Sequence, residues 1–286
     1  NQRFSEIFIE NTLVNGLSTF YAKNYFELPQ KFDSINKAVE SGDVLRVLQK
    51  NKATSLYIGQ VSLKQAGGEG DVMALSGSVI GGKRVHPESY GTVFPESVVN
   101  SVNFTYFFDI YNNAYVRWAN NGLQQIVGKE NSGGWDYGMR TYFRNKCQAL
   151  LTSGIENVNV YATYEKEFEN LIVTFVDRIS PANNETLMFH EPSNSWTTFL
   201  SFVPEGYGTT SLVLTSSLHG VLYKHNTNLT RNNFYGDQYV SEIELVGNEQ
   251  PASEKCFNWL GILSNSNEWS APDTGDVTVN AGGTLM

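Results

Sequence analysis

Hydrophobic and polar residues alternate along residues 172–226, where short apolar runs are separated by polar turns. The alternation starts with Leu171, Val173 and Phe175, which fall on one side of the first run. Two further runs, over residues 186–190 and 196–202, flank a turn that contains Pro, Ser and Asn. A period of two in runs rich in Val, Phe, Tyr, Trp and Thr is typical of β-strands joined as hairpins. This stretch therefore predicts consecutive antiparallel strands.

The same plan recurs earlier in the chain, with strand-turn-strand units around Val44 and Val98. In the second unit Phe104, Tyr106 and Phe108 alternate with their neighbours, and an Asn-Gly pair at residues 121–122 gives a strong hairpin signal. We expect these three aromatic residues to face a common interior with Leu171, Val173 and Phe175. The imperfect repetition predicts a mainly β fold of antiparallel hairpin repeats that is β-propeller-like, with a β-sandwich as the alternative.

One segment departs from this plan and predicts an inserted α-helix that begins at Tyr137 and ends at Thr152. Its apolar residues recur at helical spacing, and Gly154 supplies a C-terminal stop. Because its apolar stripe needs a partner, we expect the helix to pack on its own domain rather than on another molecule. A second, short helix is predicted around residues 33–40, with Ile35, Ala38 and Val39 on one face.

The pattern predicts a single β-rich domain over residues 1–286, with a segment of a longer chain as the alternative. Residues 1–41 form an irregular lead-in, and residues 264–286 a weakly structured tail. Further strands are predicted over residues 239–246 and 255–263, and a glycine-rich loop over residues 67–70.

Composition narrows the classes of function. The formal net charge of -9 disfavours binding to a nucleic-acid backbone, for which a basic patch is needed. Charged residues make up only 17% of the chain, and aromatic residues 13%, a balance typical of β-rich extracellular or virion proteins. No apolar run reaches the length of a membrane span. Cys147 and Cys256 have no metal or redox spacing, so we expect two buried thiols.

The chain has no constellation that predicts catalysis, a metal or a cofactor. Glu165, Glu167 and Glu169 precede a strand at a period of two, which predicts a solvated strand face. The histidines lack zinc-site spacing, and no nucleophile elbow is present. We therefore expect no catalytic, cofactor-binding or metal-binding residues, and a protein that is not an enzyme.

Carbohydrate binding is an alternative function, because exposed indole rings can stack on sugars. The candidates are the five tryptophans, Trp118, Trp135, Trp196, Trp259 and Trp269, and the competing interpretation is that most of them lie in the core. A glycan hydrolase is the third hypothesis, although no convergent carboxylate pair supports it.

Three segments resemble a known family. They are residues 90–98 with 106–109 and 115–117, residues 197–204 with 222–226, and residues 233–236 with 238–243. Together they are similar to the muzzle or tail-hub (stabilisation) proteins of crAss-like and related short-tailed phages of Bacteroidetes hosts. This resemblance implies a β-propeller-like body, a structural role in a ring below the portal, and no catalytic residues. It also implies location in the virion tail, with assembly in the host cytoplasm.

The resemblance and the lack of catalytic groups together predict protein contacts as the main function of the surface. Exposed sheet edges must be covered or paired, so we expect a cyclic oligomer with copies of the same chain and contacts to other tail proteins. Phe234, Tyr235 and Tyr239 are the candidate contact residues. The alternative is that they form a strand entry that packs on its own domain.

Overall fold

The computed structural model describes residues 2–6, 13, 15–64, 71–126, 138–210 and 213–242. The chain divides into two compact units, Asn1–Val240 and Ser241–Met286. Apart from Ser241 and Glu242, the described residues belong to the first unit. The regular secondary structure of its described residues is mostly antiparallel strand.

The first unit opens with a two-stranded pair of β1 (Gln2–Arg3) and β2 (Tyr25–Phe26). The first sheet follows as a four-stranded meander in chain order. Its strands are β3 (Ile35–Ser41), β4 (Val44–Gln49), β5 (Lys52–Lys64) and β6 (Asp71–Val85). Gly42, at a φ of 60°, forms the tight turn between β3 and β4, because this left-handed conformation is easily adopted without a Cβ atom.

The second sheet is also a four-stranded meander. Its strands are β7 (Val99–Asn100), β8 (Thr105–Asp109), β9 (Ala114–Ala119) and β10 (Gly122–Gln125). Asn113, at a φ of 53°, turns the chain between β8 and β9, and the predicted Asn121-Gly122 turn leads into β10. Every residue of β8 is buried, since this strand lies inside the sheet and beneath other elements.

The predicted long helix is present as α1 (Met139–Ser153), the only α-helix among the described residues. Phe143, Cys147 and Leu150 form its buried stripe, and Gly154 ends it at a φ of 87°. Because these residues belong to the main core, α1 packs on its own domain, as expected. Burial raises the pKa of the Cys147 thiol to about 12, so the group stays protonated and unreactive at neutral pH. None of the helices in the described ranges is long and apolar enough to cross a membrane.

The third sheet is formed by the part of the chain in which the alternation of apolar and polar residues is clearest. Its strands are β11 (Val158–Glu165), β12 (Asn170–Asp177), β13 (Glu185–His190) and β14 (Ser195–Leu200), paired in chain order. The register places Val173 opposite both Ala162 and Leu187. A bulge between Met188 and Phe189 shifts the pairing with β14.

The fourth sheet has three strands, β15 (Gly206–Thr210), β16 (Val213–Leu218) and β17 (Val221–Lys224). His219 and Gly220, both at positive φ, form the turn between β16 and β17. A short pair of β18 (Asn233–Phe234) and β19 (Asp237–Gln238) follows.

The main hydrophobic core joins the second and third sheets with α1. Tyr106 and Phe108 lie in it with Leu171, Val173 and Phe175, and all five are fully buried. The Phe108 and Phe175 rings meet edge to face with their centroids 5.0 Å apart. Phe104 is partly buried and packs on the same cluster through Tyr106. The predicted common interior is therefore confirmed.

The opening strands of successive sheets lie side by side, because β11 contacts both β7 and β15. This gives a mainly β fold of antiparallel meanders with one long helix, as the sequence predicts. Within the described residues the sheets do not close a ring.

Sequence interpretations near the two ends of the described chain are corrected. The predicted helix over residues 33–40 is wrong, because residues 35–41 form β3. This strand lies within the stretch assigned to the irregular lead-in. Its register shifts between Ile35 and Lys37, and this irregularity disturbs the alternation by which a strand is recognised. The predicted strand over residues 239–246 is wrong for residues 239–242, which lie in no strand, and its remainder lies outside the described residues. The predicted loop 67–70, the strand 255–263, the tail 264–286 and Cys256 also lie outside them, as does Tyr137 at the predicted helix start.

Candidate functional site

A surface pocket of about 520 Å³ lies between the turn that joins β11 to β12 and the chain that follows β16. Phe168 lines it from the turn, and residues 223–228 and 230–236 supply most of the other lining side chains. We call it the Asn226 pocket. Its size falls within the range of small-ligand sites in proteins.

The first wall of the Asn226 pocket is held in place by a buried carboxylate. Glu165 ends β11 and is 5% exposed; its Oε1 accepts a hydrogen bond from the Asn226 amide and its Oε2 one from Asn170 Nδ2 at 3.1 Å. The sequence interpretation of Glu165 as part of a solvated strand face is therefore wrong, because two amide donors replace water. Glu167 and Glu169 are exposed, and they lie in a turn rather than on a strand.

An aromatic cluster forms the floor of the pocket. Phe202 is buried, and its ring centroid lies 4.8 Å from that of Phe234 and 5.0 Å from that of His225. The Tyr235 ring meets the Tyr223 ring edge to face at 4.7 Å. Such contacts contribute about 0.5–1.5 kcal/mol each beyond burial, so the floor is rigid.

A polar network fixes Tyr235 beneath the pocket. The Ser216 hydroxyl lies 2.6 Å from His225 Nε2 and 2.7 Å from the Tyr235 hydroxyl. Burial lowers the pKa of His225 and raises that of Tyr235, so both rings are uncharged near neutral pH. Tyr235 has a φ of 57°, a conformation that a bulky residue adopts only where its surroundings impose it.

The second wall is a loop ordered by its own hydrogen bonds. Asn228 Oδ1 accepts the Thr230 N–H at 2.9 Å, and Asn228 Nδ2 donates to Asn233 Oδ1 at 3.0 Å. Gln238 Nε2 donates to the Arg231 carbonyl at 2.8 Å. The loop is therefore shaped before any ligand arrives, which lowers the entropic cost of binding.

Two basic side chains line the pocket in a protein that is acidic overall. Lys224 and Arg231 line it and are exposed, and its lining contains no Asp or Glu. Since His225 is neutral, Lys224 and Arg231 are the cations of the lining, and the nearby carboxylates of Glu165, Glu167 and Glu169 lie outside it. An anionic group is thus the favoured ligand chemistry.

The three predicted contact residues come together at this site. Phe234 and Tyr235 line the pocket, and the Tyr239 ring lies 6.1 Å from the Phe234 ring. All three are half-buried. Their role in contact between subunits stays a prediction. The sequence interpretation missed Phe168, Lys224, Asn226 and Arg231. The last three lie close together along the chain, and the fold brings Phe168 to them.

The tryptophans do not form an exposed platform where the structure describes them. Trp118 is buried, and Trp196 is partly buried and donates from Nε1 to the Ile126 carbonyl at 2.8 Å. Trp135, Trp259 and Trp269 lie outside the described residues. The described part of the chain contains no group of His, Cys, Asp and Glu that could hold a metal ion.

Comparison with known families matches residues 229–284 to the Crassvirus muzzle protein C-terminal domain. The resemblance to muzzle proteins inferred from the sequence is thereby confirmed. Of the three segments that carried it, the one that starts at Asn233 falls within the match, which also includes Phe234, Tyr235 and Tyr239. No curated protein matches the chain.

Proposed function

We propose that this chain, in which residues 229–284 match a muzzle-protein domain, is a structural protein of a crAss-like phage virion. The family match is the observation that carries the proposal. In this role the protein assembles in the host cytoplasm and takes a muzzle- or hub-like position below the portal of a short tail. Its β-propeller-like body contacts other tail proteins.

The surface of the described residues supports a role in assembly. Phe199 on the outer strand β14 is 54% exposed, and Leu222 on β17 is 70% exposed. Both residues lie on strands at sheet edges, which proteins ordinarily cover or pair. Contact with identical copies in a cyclic ring would cover them.

Phe234, Tyr235 and Tyr239 are the proposed contact residues between subunits. The Phe202 ring contacts both Phe234 and Tyr235, whereas the Tyr239 ring contacts the same cluster through Phe234. Tyr239 is therefore the most suitable of the three to probe. Half-buried aromatic residues over a packed base are frequent at the energetic centre of interfaces.

Native mass spectrometry of the full chain, together with cryo-electron microscopy of virions, tests the proposal. We expect a closed oligomer and density for the chain in the tail. Tyr239→Ala should weaken the oligomer, whereas Tyr111→Ala, which removes an exposed tyrosine elsewhere, should leave it unchanged. A chain that stays monomeric and is missing from virions would exclude the proposal.

A further inference from the structure

We propose that the Asn226 pocket binds an acidic saccharide, that is, a sugar ring that carries a carboxylate. This binding function goes beyond the proposed structural role. Because Phe234 and Tyr235 line the pocket and are also proposed contact residues, the variants below separate sugar binding from assembly. The inference rests on three features of the pocket: an exposed aromatic face, a wall of amides, and two basic side chains with no carboxylate among the lining residues.

The exposed aromatic face is Phe168. Its side chain is 50% exposed at the tip of the turn between β11 and β12, and it lines the pocket. The turn is anchored because the Glu191 N–H donates to the Glu169 carbonyl at 3.0 Å. A half-exposed ring on an anchored turn suits the C–H face of a sugar, which is apolar although the rest of the sugar is not.

The amide wall provides groups that recognise hydroxyls. Asn226 uses its Nδ2 to bind Glu165, which orients the side chain and leaves Oδ1 as an acceptor. Its backbone has a φ of 59°, and that of Asn232 has a φ of 53°. Asn tolerates this left-handed conformation, which shapes the loop at these two positions.

The positive charge selects a carboxylate. Lys224 and Arg231 have no acidic neighbour in the lining, and an Arg guanidinium can hold a carboxylate through two parallel hydrogen bonds. Glu167 and Glu169 flank Phe168 in the turn but do not line the pocket. A neutral sugar would leave both cations unused, so the acidic form should bind better.

A protein side chain fits the pocket less well. Protein interfaces gain most of their energy from apolar anchors in desolvated pockets. Here the lining is largely Asn, Thr, Lys and Arg, and the aromatic floor is already covered by its own hydrogen bonds and ring contacts. These features favour a polyhydroxylated ligand.

Isothermal titration of the full chain at about pH 7 tests the inference. The probes are tetragalacturonate, a hyaluronan hexasaccharide and an oligomer of sialic acid, with galactotetraose as the neutral control. We expect at least one acidic probe to bind about tenfold or more tightly than the neutral one, a difference of about 1.4 kcal/mol.

Four variants test whether the acidic sugar binds in the Asn226 pocket. Phe168→Ala and Arg231→Ala should each weaken the acidic probe about tenfold or more. Phe199→Ala and Arg144→Ala are the matched controls, because both side chains are exposed and neither lines the pocket. Circular dichroism verifies that each variant folds.

Three results would overturn the inference. The first is no binding of any acidic probe at about 5 mM. The second is equal loss of affinity in the control and pocket variants. The third is a Phe168→Ala or Arg231→Ala chain that binds sugar normally but no longer assembles, which would assign the pocket to a protein partner.

Discussion

Replacement of Gly91 by alanine should destabilise the protein because Gly91 lies where the first sheet meets the second. A Cβ atom at this position would lie 2.3 Å from the Gln49 carbonyl oxygen and 2.6 Å from the Asn51 nitrogen. Both atoms belong to the backbone of the turn between β4 and β5, so they cannot rotate away. Gly91 has no positive φ, so alanine adds no backbone strain at this position, and any loss of stability reports the steric clash of the new Cβ atom.

Relief of this clash would disturb two hydrogen bonds. The Gly91 N–H donates to Asp109 Oδ2 at 2.9 Å, and the Thr92 N–H donates to the Gln49 carbonyl at 3.0 Å. Crowding in a packed site costs about 1–3 kcal/mol, and a disturbed hydrogen bond to a charged group about 1.5–3 kcal/mol. We expect a loss of about 4 kcal/mol, which lowers the unfolding midpoint by about 8–16 °C.

Thermal unfolding followed by circular dichroism measures this loss, and Gly206→Ala is the matched control. A Cβ atom at Gly206 would meet the Ser217 hydroxyl at 3.6 Å, an ordinary contact. We expect this control to change stability by less than about 0.5 kcal/mol. If the two variants unfold within about 2 °C of each other, the reasoning from backbone crowding is refuted.

Three further predictions concern the core and the buried ionisable groups. Phe143→Ala, which removes a fully buried ring of α1, should cost about 3–5 kcal/mol in urea unfolding, whereas Leu151→Ala on the exposed side of α1 should cost less than about 1 kcal/mol. Burial alone would raise the pKa of Asp177, but hydrogen bonds from Ser153, Asn183 and two backbone N–H groups outweigh burial and lower the pKa to about 2. The stability that this carboxylate contributes should therefore be lost as the pH falls from about 4 to about 2. Asp177→Asn should remove this pH dependence of the free energy of unfolding. Burial and the nearby Arg84 lower the pKa of His86 to about 4, so on acidification His86 takes up a proton in the unfolded chain before it does so in the folded one. The free energy of unfolding should therefore fall by at most about 1.4 kcal/mol per pH unit as the pH is lowered from about 6.5 to about 4. Equal pH slopes in wild type and His86→Gln would contradict the His86 prediction.

The sequence predicted the parts of the fold that follow local periodicity. Leu171, Val173 and Phe175 lie on the face of β12 that enters the main core, because this strand pairs regularly with both of its neighbours. The other face, with Ile172 and Thr174, is buried too. The change of period at Met139 reappears as α1, with Gly154 as its stop. In both cases the signal lies within a single element.

The parts that could not be predicted depend on distant partners. Glu165 is buried because Asn226 reaches it across 61 residues of chain, and no local pattern carries that information. The Asn226 pocket likewise joins Phe168 to a loop far along the sequence. The sequence of β3 fits helical spacing within a short window, at Ile35, Ala38 and Val39. It forms a strand because it pairs with β4, a partner that the local pattern does not reveal.

The second and third sheets share a local device that supports the proposed propeller-like array. Asp109 ends β8 and Asp177 ends β12, and both are second strands of their sheets. The Oδ1 atom of Asp109 accepts N–H groups of Tyr111 and Asn112, each at 3.1 Å. Asp177 Oδ1 likewise accepts the N–H groups of Ile179 and Ser180, at 2.9 and 3.0 Å. The two connections differ in length, four residues after Asp109 and seven after Asp177, but the carboxylate accepts backbone N–H groups at the same strand end in consecutive sheets. Such a shared feature is what repeated units would retain.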